Sequence, residues 1–234
     1  MGRDRAAGWG VGSPLYQSRV MGEFADAGEG VLFPLQLIES AVGREVQTKN
    51  GDALGVDVAR STAGDLNCVA RCRNGRIEIV NTWRSPDTME TVQRVLNTVT
   101  STGCKYLAVD VGGPGGGVVD RLKELGHEVE GVHFGGAAED AQRFRNWRAE
   151  AFWKLREGME KGEVSLPDDD DLRADLSALR YQFNADGRIQ IESKDECRKR
   201  LGRSPDRADA MALAIGTHRQ RITEWPWDCL AGRS

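Results

Sequence analysis

The sequence predicts an α/β fold. An antiparallel meander of three strands continues into parallel strands of the same mixed sheet, with helices on both faces and an added β-hairpin. Three observations lead there. First, two β-rich stretches, 66–73 and 76–83, flank Asn74-Gly75, a dipeptide suited to a two-residue hairpin turn because both positions tolerate positive φ. Second, residues 105–111 (KYLAVDV) form a continuous apolar run, the pattern of a strand covered on both faces. Third, apolar residues recur at helical spacing at 89, 92, 95, 96 and 99 and again over 118–125, so strand, helix and strand follow one another as in a parallel crossover.

In order along the chain, the first 50 residues are Gly-rich, with turn signals at 8–14 and 28–30, and only 35–42 has helical character. Residues 1–50 are therefore read as an irregular lead segment, 51–220 as the folded domain and 221–234 as a tail. The first strand is the apolar run 53–58. Pro86 suits the start of the helix after the meander. Residues 128–134 give a further strand, and 143–161 an amphipathic helix with Phe144, Trp147, Ala151, Leu155 and Met159 on one side. Another helix begins near Asp168, where the acidic run 168–171 suits a helix N-terminus. The stretches 179–184 and 188–192 pair around Ala185-Asp186-Gly187, and the last helix starts at Ser204-Pro205.

Of 234 residues, 39% are hydrophobic and 29% charged, enough for a core without disulfide or metal staples. A net charge of −4 excludes a protein that is basic all over, while leaving room for a local nucleic-acid-binding patch. The five cysteines, Cys68, Cys72, Cys104, Cys197 and Cys229, include no CxxC pair, which fits reduced, packed thiols rather than a disulfide framework or a zinc site. No window approaches the roughly 18 apolar residues of a membrane helix. The N-terminus lacks the succession of a signal peptide, so neither a membrane nor a secreted protein is expected.

The chemistry is carried by three aspartates far apart in sequence. Asp57 lies in the first strand (LGVDVAR), Asp110 ends KYLAVD, and Asp209 lies in the last helix (SPDRADAMALA). A carboxylate inside an apolar strand costs several kcal/mol unless it is paired or binds a cation, so two such strands imply one. Carboxylate oxygens suit Mg²⁺ or Mn²⁺, whereas His127, His133 and His218 are too dispersed for a zinc enzyme. Asp206 stands three residues before Asp209, on the same helix face. Arg198, Lys199, Arg200, Arg203 and Arg207 crowd the chain around the start of that helix and are read as a DNA-facing patch. The basic residues of 143–161 read as a solvated face, with DNA contact as the alternative. The glycines of 112–117 (GGPGGG) read as a turn that lets a helix fold back beside Asp110, with phosphate cradling as the alternative.

LGVDVAR, the hairpin meander, KYLAVDVGGPGGGVVD and IESKDECRKRLGRSPDRADAMALA, in this order over residues 50–217, resemble the nuclease domain of the large terminase subunit of tailed bacteriophages. That family has the RNase H-like, RuvC-type fold. The stretch GSPLYQSRVMGEFADAGEGVLFP resembles the segment joining the family's ATPase and nuclease domains, but no G-x-x-x-x-G-K-[ST] occurs. The resemblance implies a metal-dependent endonuclease that cleaves concatemeric viral DNA during genome packaging. Asp57, Asp110 and Asp209 would hold two ions about 4 Å apart, and Asp206 would be a supporting ligand. The products would carry 5′-phosphate and 3′-OH ends. Lys194, where terminase-like sequences often carry lysine, would reach a phosphate. Double-stranded DNA, a portal, a small terminase subunit and an ATPase domain are the implied partners, in the cytoplasm of an infected bacterial host. A RuvC-type Holliday-junction resolvase or other RNase H-like nuclease, and a non-catalytic DNA-binding or portal-docking module, are the alternatives.

Overall fold

The computed structural model describes residues 30–46 and 51–216. The turns read at 8–14 and 28, the tail 221–234, His218 and Cys229 lie outside them. After α1 (Leu35–Ala41) come β1 (Asp52–Asp57), β2 (Asn67–Arg73), β3 (Arg76–Trp83), α2 (Thr88–Thr102), β4 (Tyr106–Asp110), α3 (Gly115–Glu124) and β5 (Glu130–Val132). The second half holds α4 (Trp147–Glu160), α5 (Asp170–Ala178), β6 (Tyr181–Phe183), β7 (Ile189–Ile191), α6 (Lys194–Leu201) and α7 (Asp206–Gly216). The main sheet has the order β3-β2-β1-β4-β5, and β6 and β7 form the added hairpin. β1 to β3 pair antiparallel, while β4 runs parallel to both β1 and β5. The meander, the mixed sheet and the hairpin are thus as the sequence predicts. Among the described residues no helix is long and apolar enough to cross a membrane.

Strand parity divides the core. Leu54, Val56, Leu107 and Val109 pack with Val92, Val95, Val118 and Leu122 of α2 and α3 on one face of the sheet. Ala53, Gly55 and Asp57 of β1 and Ala108 and Asp110 of β4 share the other parity, and that face carries α7, where Ala108 packs with Leu213. Beyond α7 lie α4 and α5, so residues 208–215 are all buried and apolar except for Asp209. A helix buried on every side needs small residues to fit between layers, and alternating Ala208, Ala210, Ala212 and Ala214 supply them.

Five elements differ from the sequence reading. Residues 30–44 are more than a lead: Leu32, Phe33, Ile38 and Ala41 are wholly buried in the core of α4, α5 and α7, and Leu32 N–H donates to Leu179 O at 3.0 Å. The helix predicted over 143–161 begins only at Trp147. Asn146 caps it, accepting from Ala149 N–H at 3.0 Å, while Phe144 bridges Ile189 of β7 and Arg145 N–H donates to Ile189 O at 2.9 Å. Three glycines of the 112–117 run are the first turn of α3, and the strand at 128–134 shortens to β5. Helix α6 was not anticipated. The four described cysteines are free and buried.

Sheet and helix α7 approach closely at Gly55. A Cβ there would lie 2.1 Å from Ala210 O and 2.3 Å from Ala214 N. Substituting Gly55→Ala therefore has to lift α7 off β1. Overpacking of this kind costs about 1–3 kcal/mol. Urea denaturation should show a lower midpoint with an unchanged slope, whereas parent-like stability would mean that the helix seats elsewhere.

Candidate active site

Asp57 and Asp110 end adjacent parallel strands. The register pairs Gly55 with Ala108 and Val56 with Val109, which sets the two aspartates level, one strand spacing of about 4.8 Å apart, on the α7 face. Helix α7 completes the group. Ala210, Leu213 and Ala214 contact the sheet at Gly55, and Asp206 and Asp209 lie one turn towards the N-terminus on the same face. Asp57, Asp206 and Asp209 are 2%, 3% and 1% exposed, so carboxyls from remote segments are removed from water together, while Asp110 stays partly open.

Two cations meet them. The Lys194 ammonium, at the first residue of α6, lies 2.8 Å from Asp57 Oδ2, 3.1 Å from Asp206 Oδ1 and 3.3 Å from Asp209 Oδ2. From α4, Arg148 reaches Asp209 Oδ1 at 3.1 Å and donates to Glu192 O at 2.7 Å, its guanidinium stacked over Phe152 and Phe134. Asp206 Oδ2 accepts from Leu66 N–H at 2.8 Å, and Asp110 Oδ1 from Gly112 N–H at 2.9 Å. Burial pushes the Asp57 carboxyl well above the ordinary carboxylate range. Lys194 counteracts this, while Asp206 and Asp209 reinforce it. Asp110 is raised by burial and by Asp209, against the Gly112 amide. Burial works against the Lys194 charge, but Asp57, Asp209 and Asp206 outweigh it and hold its pKa above that of an ordinary lysine.

Lys194 thus stands among the acids, not on a basic surface. The arginines predicted to face DNA are largely engaged within the chain. Arg198 bonds Asp65 and Ser204, Arg200 bonds Glu192 and Ala178 O, Arg203 bonds Asp175, and Arg207 lies 2.9 Å from Asp171 Oδ2. Lys199 is exposed on α6. The acidic run 168–171 is the counter-charge: Asp169 caps α5 at Leu172 N–H, and Asp168 and Asp170 pair with Arg173. Gly115 lets α3 turn back beside Asp110, since a Cβ there would fall 1.8 Å from Asp110 O.

Sequence reasoning missed Arg148 and the anchoring of Lys194, although both leave signals. Arg148 shares a helix face with Phe152, Leu155 and Met159, and an arginine at a buried-face position requires a buried anion. Ser193 and Glu196 form a reciprocal capping box that opens α6 and fixes Lys194 at its first position.

The donor set fits a hard divalent cation. Four carboxyls face two cationic side chains, and buried Asp206 Oδ1, though near the ammonium, accepts no well-angled hydrogen bond. Among the described residues no three His, Cys, Asp or Glu side chains stand in a ready ligating cluster, as expected where an ammonium sits between the acids.

No protein-family model matches the chain, and no curated protein does. Solved structures do. The nuclease domain of the large terminase subunit gp2 of bacterial virus Sf6 is similar with a TM-score of 0.69 and 17% identity, over 79% of this chain and 98% of that one. A variant of that domain with manganese and beta-thujaplicinol gives 0.69 at 18% identity, over the same shares. The large terminase nuclease of thermophilic phage G20c with bound magnesium gives 0.60 at 17% identity, over 81% and 98%. These likenesses, with the sheet order, show the RNase H-like nuclease fold.

Removing Lys194 leaves Asp57, Asp206 and Asp209 facing one another. Lys194→Ala should lose about 1–3 kcal/mol in chelator-treated buffer, less than the roughly 3–5 for a fully buried pair because the lysine side chain is 36% exposed. Millimolar Mn²⁺ should restore part of the loss by binding the folded state. Denaturation curves with and without Mn²⁺ measure both, and an Mn²⁺-independent loss would speak against cation binding there.

Proposed function

We propose that this chain is a divalent-metal-dependent endonuclease acting on concatemeric viral DNA during genome packaging, as the nuclease of a terminase large subunit. The observation that carries the reading is the meeting of Asp57, Asp110, Asp206 and Asp209, from three remote segments, at one edge of a fold shared with nuclease domains solved with manganese and magnesium. Asp57, Asp110 and Asp209 would hold Mg²⁺ or Mn²⁺, two ions in all, with Asp206 supporting. Such ions, when bound, would make a water nucleophile available at neutral pH and would stabilise the departing 3′ oxygen, so that the products would carry 5′-phosphate and 3′-OH ends.

The chain's own groups divide the remaining work. Asp206 ties α7 to the backbone at Leu66 through one oxygen and offers the other to the centre. Arg148 orients Asp209, and its bond to Glu192 O steadies the connection that leads into Lys194. Lys194 neutralises the acids, and its flexible stem lets the ammonium move to a scissile phosphate as cations enter. Asp110, half-open beside exposed His133 at the end of β5, marks the side from which duplex DNA approaches. Of the predicted patch, Lys199 is exposed and Arg198 is exposed beside its bonds to Asp65 and Ser204, and these two would meet phosphates. A portal, a small terminase subunit and an ATPase domain, in the cytoplasm of an infected bacterium, complete the proposal.

One observation favours a different class: an ammonium seated among the acids neutralises them without any metal ion, as a non-catalytic DNA-binding or portal-docking module requires. Plasmid nicking separates the two. The parent should nick in Mg²⁺ or Mn²⁺ and stop with chelator, and Asp57→Asn, Asp110→Asn and Asp209→Asn should each abolish nicking while circular dichroism stays unchanged. Near-parent activity in any of the three defeats the assignment, and an inert parent favours the module. A panel of linear duplex, Holliday junction and RNA:DNA hybrid distinguishes a terminase-type nuclease from a resolvase or hybrid nuclease. Affinity for duplex should fall as salt rises, because phosphate contacts release counterions.

A further inference from the structure

Asp175, in α5, is wholly buried and is none of the acids that meet Lys194. Its Oδ2 accepts from the backbone N–H of Arg207 at 3.1 Å and of Ala208 at 3.4 Å, and its Oδ1 pairs with the Arg203 guanidinium. Those two amides belong to the first turn of α7 and lie between Asp206 and Asp209 in sequence. The first N–H groups of a helix lack intrahelical partners and usually find one in the residue just before the helix. That residue is Pro205, whose ring offers no acceptor, and the hydroxyl of Ser204 before it accepts instead from Arg198 at 2.8 Å and 3.1 Å. The cap comes from another helix, more than thirty residues earlier in the chain. It is itself braced: Arg203 also donates to Ser204 O at 3.2 Å and to Asp171 O at 3.0 Å, and the Arg207 side chain turns to Asp171.

Below its first turn, α7 is held without Asp175, since Ala210, Leu213 and Ala214 seat it against Gly55. What the cap controls is the turn that carries both helix acids. We infer that Asp175 is a positioning residue, fixing the first turn of α7 so that Asp206 and Asp209 are presented opposite Asp57. The inference rests on the proposed reading of these acids as a divalent-cation site. It assigns a role to a carboxyl that itself touches neither cation nor DNA.

The test is Mn²⁺ binding by calorimetry, without DNA, beside thermal denaturation. Asp175→Asn keeps the shape and one acceptor oxygen but loses the charge, and should raise the half-saturating Mn²⁺ concentration at least about tenfold. Arg203→Lys, a milder change that loosens the same cap, should raise it about threefold. Leu122→Ala, which opens the α3 core on the opposite face of the sheet, should lower the melting temperature yet bind Mn²⁺ like the parent. Parent-like affinity in both cap variants, or an equal loss in Leu122→Ala, overturns the inference. A parent that takes up no Mn²⁺ overturns the cation reading and this inference with it; a parent that binds while the cap variants match it overturns the positioning role alone.

Discussion

Gly55 leaves the sheet bare beneath α7, and the helix takes up the space with its own backbone. Any side chain at that point would meet Ala210 O and Ala214 N, so the glycine sets the distance between two layers of the core. That distance sets the site. Asp57 is two residues further along β1, and Asp206 and Asp209 are one turn earlier on α7, so the seating brings three carboxyls within 3.3 Å of one ammonium. A retreat of α7 would carry Asp206 and Asp209 away from Asp57. The small residues at 208, 210, 212 and 214 have the same consequence from the helix side.

The charges so gathered would be too costly if left alone. Burial raises the Asp57 and Asp110 carboxyls, and the opposing positive charge arrives on two separate helices, Lys194 at the start of α6 and Arg148 from the buried face of α4. A second tier lies behind. The acids at 168–171 and Asp175 take up Arg173, Arg203 and Arg207, so two runs that look like surface charge in the sequence neutralise each other across the α5–α7 contact. Positive charge near α7 is thereby committed to holding the helix, and less of it is left to face a polyanion.

What the sequence made legible follows from which forces are local. Asn74-Gly75, the β-rich stretches of β2 and β3 and the apolar run of β4 are short-range signals, and they placed the meander and the crossover. Asp57, Asp110 and Asp209 were visible because an acid in an apolar element contradicts its surroundings. Less legible was whatever depended on a distant partner. Residues 30–44 show helical character only at 35–42, yet Phe33 and Ile38 are wholly buried because α4 and α5 come to them. The Asp175 cap on α7 cannot be read from residues near 206, since the local candidate, Ser204, is diverted to Arg198. Helix α6 is so polar that a periodicity search passes over it, and only its capping box announces it. The patch at 198–207 shows the same limit: its charge is visible in sequence, and the pairing of Arg198, Arg200, Arg203 and Arg207 with Asp65, Glu192, Asp175 and Asp171 is not.

The site also has an internal division. Asp57, Asp206 and Asp209 are joined through one lysine, whereas Asp110 is held apart by the amide of Gly112, on a turn where Gly115 permits α3 to pass against its carbonyl. Asp57 belongs to both halves, level with Asp110 by strand register and in contact with Lys194. Asp209 couples them as well, since its charge raises the Asp110 carboxyl while its oxygens meet Lys194 and Arg148. Two groups of acids that share Asp57 and Asp209 are the geometric basis of the proposed pair of cations. The same grouping explains why a single ammonium can quiet one half while the other stays open towards solvent.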